Sequence, residues 1–182
     1  MRVILAALAA SALLTATVAT SAAAHDPVPR TTSVRGTGLL ANPVGDEIRF
    51  TVDAHAVPDD GGGPFPDRSW GTARLSHRFG QEDPPHTIWY EVAVDCLATG
   101  GGTATVTGVV VRTAPDPAAQ PQLGARLGFS IDDNGPGHRD RVGLAGPTDN
   151  PARCMAPAAF FAVSEGGYKV RDADRGSAHG IF

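Results

Sequence analysis

The residues best suited to chemistry lie in one short run, Asp132, Asp133, Asn134, Gly135, Pro136, Gly137, His138, Arg139 and Asp140. Closely spaced carboxylate and amide oxygens, with glycines that let backbone carbonyls curl inward, are what a hard cation such as calcium requires. Asp132, Asp133, Asn134 and Asp140 are therefore candidate calcium ligands. The spacing is not that of the twelve-residue calcium loop, since no glutamate closes it and no helical pattern follows. A competing reading is a tight turn in which Asp and Asn cap their own backbone.

Histidine offers two further candidates. His25 becomes the first residue if the chain is cut after Ala24, and an amino-terminal His can hold copper through its amine and ring. Its second ligand would be His55, His77, His86, His138 or His179, among which the sequence does not choose. His77 stands on the apolar side of its segment, as a core histidine does more often than an acid, base or ligand. Trp70, Trp89 and Tyr90 would form a sugar-stacking platform if exposed; with aromatics only 6% of the chain, they are expected in the core.

Other chemistries lack their residues. Ser69, Ser76, Ser130 and Ser164 have no glycine-flanked nucleophile elbow. Glu47, Glu82, Glu91 and Glu165 form no paired arrangement of the glycosidase kind. Gly100 to Gly102 lies between two strand-like segments rather than before a helix, which removes a phosphate cradle. These features point away from an enzyme. With a net charge of −4 and Lys169 the single lysine among 15 basic residues, no basic stripe exists for nucleic acid or anionic lipid.

Residues 1–24 have the layout of a secretory signal peptide: Arg2, an apolar stretch from Val3 to Leu14, and Ala22, Ala23 and Ala24 before the expected cut. The strongly apolar part is about 12 residues, short of the roughly 20 needed to span a bilayer. The mature chain is thus expected outside the cell with no membrane span, and there Cys96 and Cys154, 58 positions apart, are expected to close into a disulfide. In the loop-entropy picture that closure is worth about 4 kcal/mol.

The segments positioning these residues read as strands. In Glu47 to Val57, Ile48, Phe50, Val52, Ala54 and Ala56 alternate with polar residues, as in a sheet with one wet face. His86 to Arg112 reads as a hairpin turning at Thr99 to Gly102, with Tyr90, Val92, Val94 and Cys96 on one face. A weak strand broken by glycines is expected at Val34 to Leu40, and further strands at Trp70 to Phe79, Leu123 to Ile131 and Arg141 to Gly146. The stretch PAAFFAVSEGGYKVRD, Pro157 to Asp172, suggests one or two strands about a Gly166, Gly167 turn. The 22 glycines and 15 prolines cluster between the apolar alternations. The expectation is all-β: one antiparallel barrel or sandwich of about seven to nine short strands. Its parts are a signal peptide at 1–24, a disordered leader at 25–33, the domain at 34–174 and a frayed tail at 175–182. A barrel disposes of its edges most simply.

The order of a Gly-rich entry, IRFTVDAHA, TATVTGVV, LGFSIDD and DNGPGHRDRVGLA resembles the secreted actinobacterial post-COAP domain family over roughly Gly36 to Ala145. The sharpest likeness is Asp133 to Asp140. The chain departs from that pattern in its Pro-rich loops and Cys-bearing last third. The resemblance implies a secreted all-β accessory module without an established reaction. The expected role is a non-enzymatic extracellular binding or surface-interaction module with an unknown ligand and no obligatory cofactor beyond a possible calcium ion. The alternatives are a lipocalin-like barrel carrying a small apolar ligand and an enzyme of unrecognised type. Small residues at Ala54, Ala56, Ala73, Ala93, Ala104, Gly108 and Ala125 would leave either a narrow packed barrel or a cavity.

Overall fold

A computed structural model describes residues 30–173 apart from 42–44, 60, 62 and 83. The expected signal peptide at 1–24, His25, His179 and the expected tail at 175–182 lie outside the described residues. Eight strands follow one another: β1 (Thr32–Leu40), β2 (Glu47–Val57), β3 (Arg68–Phe79), β4 (His86–Gly100), β5 (Thr103–Thr113), β6 (Arg126–Asp132), β7 (Arg141–Ala145) and β8 (Phe161–Arg171). Each pairs antiparallel with the next, and β8 returns to β1, closing a barrel. Among the described residues the one helical element is a 3-10 turn at Gln120–Gln122, and no helix is long and apolar enough to cross a membrane.

Alternation dictates which way the strands face. On β2, Phe50, Val52, Ala54 and Ala56 are buried while Arg49, Thr51 and Asp53 are exposed, the period-two pattern of a wall with one wet side. The β4–β5 connection is a two-residue turn whose Gly101 and Gly102 have φ of 64° and 79°, the left-handed pair a tight hairpin needs. Small and large residues share the interior. Phe50 and Phe129 stack with centroids 4.0 Å apart, Tyr168 lies 6.0 Å from Phe50, and Leu127, Ile131 and Val106 are fully buried around them. The alanines of β2, β3 and β5 thus make room for aromatic rings. Ala93 faces outward and is exposed.

Three expectations are corrected here. Cys96 does not share the inner face of Tyr90, Val92 and Val94, because the register of β4 against β5 slips between Val94 and Cys96. That bulge adds one residue, so Leu97 takes the inner face opposite Val106 and Cys96 turns outward opposite Thr107. Gly166 and Gly167 form no turn: they lie within β8, paired with Gly38 and Thr37 of β1. They serve close approach instead: a Cβ at Gly166 would collide with the Thr37 carbonyl oxygen, and one at Gly167 would sit 2.9 Å from Asp140 Oδ2. Tyr168 lies so near Gly36 that a Cβ there would sit 2.8 Å from the Tyr168 ring and collide with the Gly167 carbonyl oxygen. β1 also begins at Thr32 rather than at residue 34.

Cys96 is joined to Cys154, with Cα atoms 5.4 Å apart, within ordinary disulfide reach. The bond pins the segment between β7 and β8 against the outside of β4 to β7. Arg153 Nε donates to the Asp95 carbonyl at 3.0 Å, the Cys154 N–H donates to Thr107 Oγ1 at 3.1 Å, and Ser130 Oγ donates to the Pro157 carbonyl. Thr107, an outward polar residue, is fully buried under this strap, and its hydroxyl donates to Asp95 Oδ1 at 2.6 Å.

Candidate functional site

The loop carrying Asp132 to Asp140 joins β6 to β7 and lies alongside β8. The reason is a shortage of strand. β7 is five residues long and meets β8 only at the pairs Arg141 with Ala162 and Val142 with Phe161, so much of β8 needs other acceptors for its amides. The loop supplies them. The Val163 N–H donates to the Asp140 carbonyl at 2.9 Å, the Tyr168 N–H to Asp140 Oδ2 at 2.7 Å, and the Val170 N–H to Asp133 Oδ2 at 3.0 Å. Two carboxylates thereby stand in for a neighbouring strand.

Their other oxygens shape the loop itself. Asp140 Oδ1 accepts the Asn134 N–H at 3.0 Å, Asp133 Oδ1 accepts the Gly135 N–H at 3.1 Å, and Asn134 Nδ2 donates to the Arg139 carbonyl at 2.8 Å. Lys169 Nζ donates to Asp133 Oδ2 at 3.0 Å. Burial pushes the Asp133 carboxyl up, but the Val170 N–H, the Lys169 ammonium and the Gly135 N–H together outweigh it and hold the group below its ordinary value. Asp132 ends β6 opposite Thr103 and Arg141. All four oxygens of Asp133 and Asp140 thus take N–H donors, and among the described residues no three His, Cys, Asp or Glu side chains gather as a metal-holding group.

The same end of the barrel holds a pocket of about 810 Å³. Its floor is Leu97, Ala98 and Thr99 at the end of β4, and one wall is Pro58, Pro64, Phe65 and Pro66 of the β2–β3 loop. Arg30, Asp59 and Asp172 add charge at the rim. Asp59 caps its own loop, accepting the Gly61 and Gly63 N–H groups at 2.9 and 2.6 Å. Asp172 accepts the Gly101 N–H at 2.9 Å and so ties the end of β8 to the β4–β5 turn. Phe65 is 52% exposed. Thr99 Oγ1 is closed off from solvent and finds no hydrogen-bond partner among the described residues.

The comparisons with known proteins give no match. No protein-family model, curated protein or solved structure aligns significantly with the chain.

The remaining candidates are dispersed. His77 is at the opposite rim, its Nε2 2.9 Å from Asp46 Oδ2 and its ring stacked on Phe79 at 3.9 Å. The hydrogen bond from His77 draws the Asp46 carboxyl below its ordinary value, against the opposing effect of burial. Phe79 also stacks on His86 at 4.6 Å. His55 is on the outer wall, its Nε2 2.8 Å from Asp53 Oδ1. His138 is exposed in the β6–β7 loop.

The aromatic trio does not share one surface. Tyr90 is buried inside, where its hydroxyl is held above its usual value by burial and, secondarily, by Asp116. Trp70 is 37% exposed, which corrects the expectation of a core position: its place on β3 points it outward, beside His55 and beneath the Arg68 guanidinium. Trp89 is half-buried under Arg74, whose guanidinium carbon is 4.2 Å from the ring centroid. The residues that sequence reasoning missed, Thr99, Phe65 and Asp172, come from three distant segments. The only signals available were the irregular Pro58 to Asp67 loop and the glycine turn after Thr99.

Proposed function

We propose that the protein is a secreted, non-enzymatic binding module that contacts its ligand at the loop-bearing mouth of the barrel. The observation that carries this reading is the contrast between the two places a barrel can hold a ligand. Inside, the stack of Phe50 and Phe129 and the fully buried Leu127 and Ile131 occupy the axis. At the mouth, a half-open pocket of about 810 Å³ combines an aromatic ring, prolines and several polar groups, within the roughly 300–1,000 Å³ of small-molecule sites. A packed interior argues against the lipocalin-like carrier, which needs an apolar cavity.

Export is supported by the charged, apolar and small-residue order of residues 1–24 and by the Cys96–Cys154 bond, which persists in oxidising compartments. The likeness of Gly36 to Ala145 to the post-COAP domain family points the same way. The test has two parts. Mass spectrometry of protein recovered from the medium should give a chain beginning at His25, two daltons lighter than the reduced form. Amide spectra of that protein, recorded against a fragment library, should move at Leu97 to Gly101 and Gly63 to Phe65. Shifts centred on Phe50 and Phe129, with displacement of an apolar dye, would favour the carrier instead.

A further inference from the structure

We propose that the mouth is a saccharide site, in which Phe65 supplies the stacking face and Thr99 the hydroxyl partner; this rests on the binding role proposed above. Three observations converge on that ligand class. Phe65 projects an apolar ring that is 52% exposed on one wall of the pocket. An exposed ring beside polar groups suits the C–H face of a sugar, which is apolar on its flat side and rich in hydroxyls at its edge. Thr99 lines the same pocket, and its Oγ1 is buried without a partner among the described residues. A hydroxyl both donates and accepts, so a sugar hydroxyl satisfies it in either direction; Thr99 lines the pocket and is half-buried as a residue, and a turn of about 120° around its Cα–Cβ bond, which carries the oxygen to the place now held by the methyl or the hydrogen, is the motion by which it would meet a ligand.

The charge at the rim narrows the class further. Among the described residues lining the pocket Asp59 and Asp172 outnumber Arg30, so an anionic ligand is disfavoured. Each carboxylate is fixed by backbone N–H groups yet keeps lone pairs that accept from hydroxyls. Fixed acceptors lose little freedom on binding. A neutral saccharide meets all these groups, whereas a simple hydrocarbon leaves Thr99 unsatisfied.

The experiment is an amide-shift titration of the full disulfide-bonded chain with maltose, cellobiose and N,N′-diacetylchitobiose, each at millimolar concentration, with glucuronate as the anionic counterpart. The expected result is saturable movement of Phe65, Thr99, Gly100 and Gly101 with at least one neutral sugar, and weaker movement with glucuronate. Phe65→Ala should weaken that binding about five- to tenfold, the worth of one aromatic contact. Thr99→Val should weaken it by up to about tenfold, the worth of one hydrogen bond. Movement of these amides by aromatic or alkyl fragments but by none of the sugars overturns the saccharide assignment while leaving a binding mouth. Movement by neither overturns both.

Discussion

Replacing the half-buried Thr99 with valine should make the protein more stable, because of the one atom it removes. Valine keeps the branched shape and the strand preference and removes an oxygen that is sealed from solvent and lacks a partner among the described residues. A buried polar group without a hydrogen bond costs about 1–3 kcal/mol, so the gain should be of that order at most and about 1 kcal/mol if neighbouring atoms relax. For a domain of this size that corresponds to a rise in Tm of about 2–4 °C per kcal/mol. Urea denaturation followed by circular dichroism measures it directly, with an unchanged slope showing that compactness is the same. The same variant should bind neutral sugars more weakly, so stability and affinity move in opposite directions. A Thr99→Val protein destabilised by more than about 1 kcal/mol would refute the reasoning, because the hydroxyl would then have a partner of the ordinary worth.

Other perturbations test the seam and the strap. Asp140→Ala strips acceptors from the Asn134 and Tyr168 N–H groups, and should cost about 1–3 kcal/mol for each amide left buried and unpaired; hydrogen exchange should quicken at Tyr168 before it does at Val52. Because Asp133 is held below its usual pKa of 3.8, its folded form binds a proton less readily than the unfolded chain. Its stabilisation is therefore complete above about that value and is lost as pH falls through the lower folded one; Asp133→Asn should flatten this acid limb. Calorimetric titration with calcium should give no heat if the loop's carboxylates remain on their N–H donors, whereas a calcium-dependent rise in Tm would restore the cation reading of Asp132, Asp133, Asn134 and Asp140. Replacing Cys96 and Cys154 together by alanine should remove about 4 kcal/mol in the loop-entropy picture, read as a lower denaturation midpoint.

The sequence reveals this fold best where a strand obeys strict alternation. Glu47 to Val57 matches β2 at both ends because its inner residues are uniformly apolar and its outer ones polar. The hairpin is legible through its three glycines. Cys96 misleads because a bulge changes the face of every later residue, and no residue type around Asp95 announces one. Gly166 and Gly167 carry a turn signature, but the left-handed φ of Gly166, 80°, falls inside β8, where a Cβ would collide with the Thr37 carbonyl oxygen of β1. The acidic loop is visible as a cluster of oxygens, whereas its use depends on β7 being shorter than β8, a property of the assembled barrel. The mouth is least legible, since closure alone brings Phe65, Thr99 and Asp172 together.

Hydrogen-exchange mass spectrometry of the disulfide-bonded chain, with and without the neutral sugar that moves its amides most, tests the mouth against the interior most directly. The account predicts slowed exchange in peptides covering Leu97 to Gly101 and Gly63 to Phe65, with no change around Phe50 and Phe129. Slowing confined to the strands that carry Phe50 and Phe129 would contradict it.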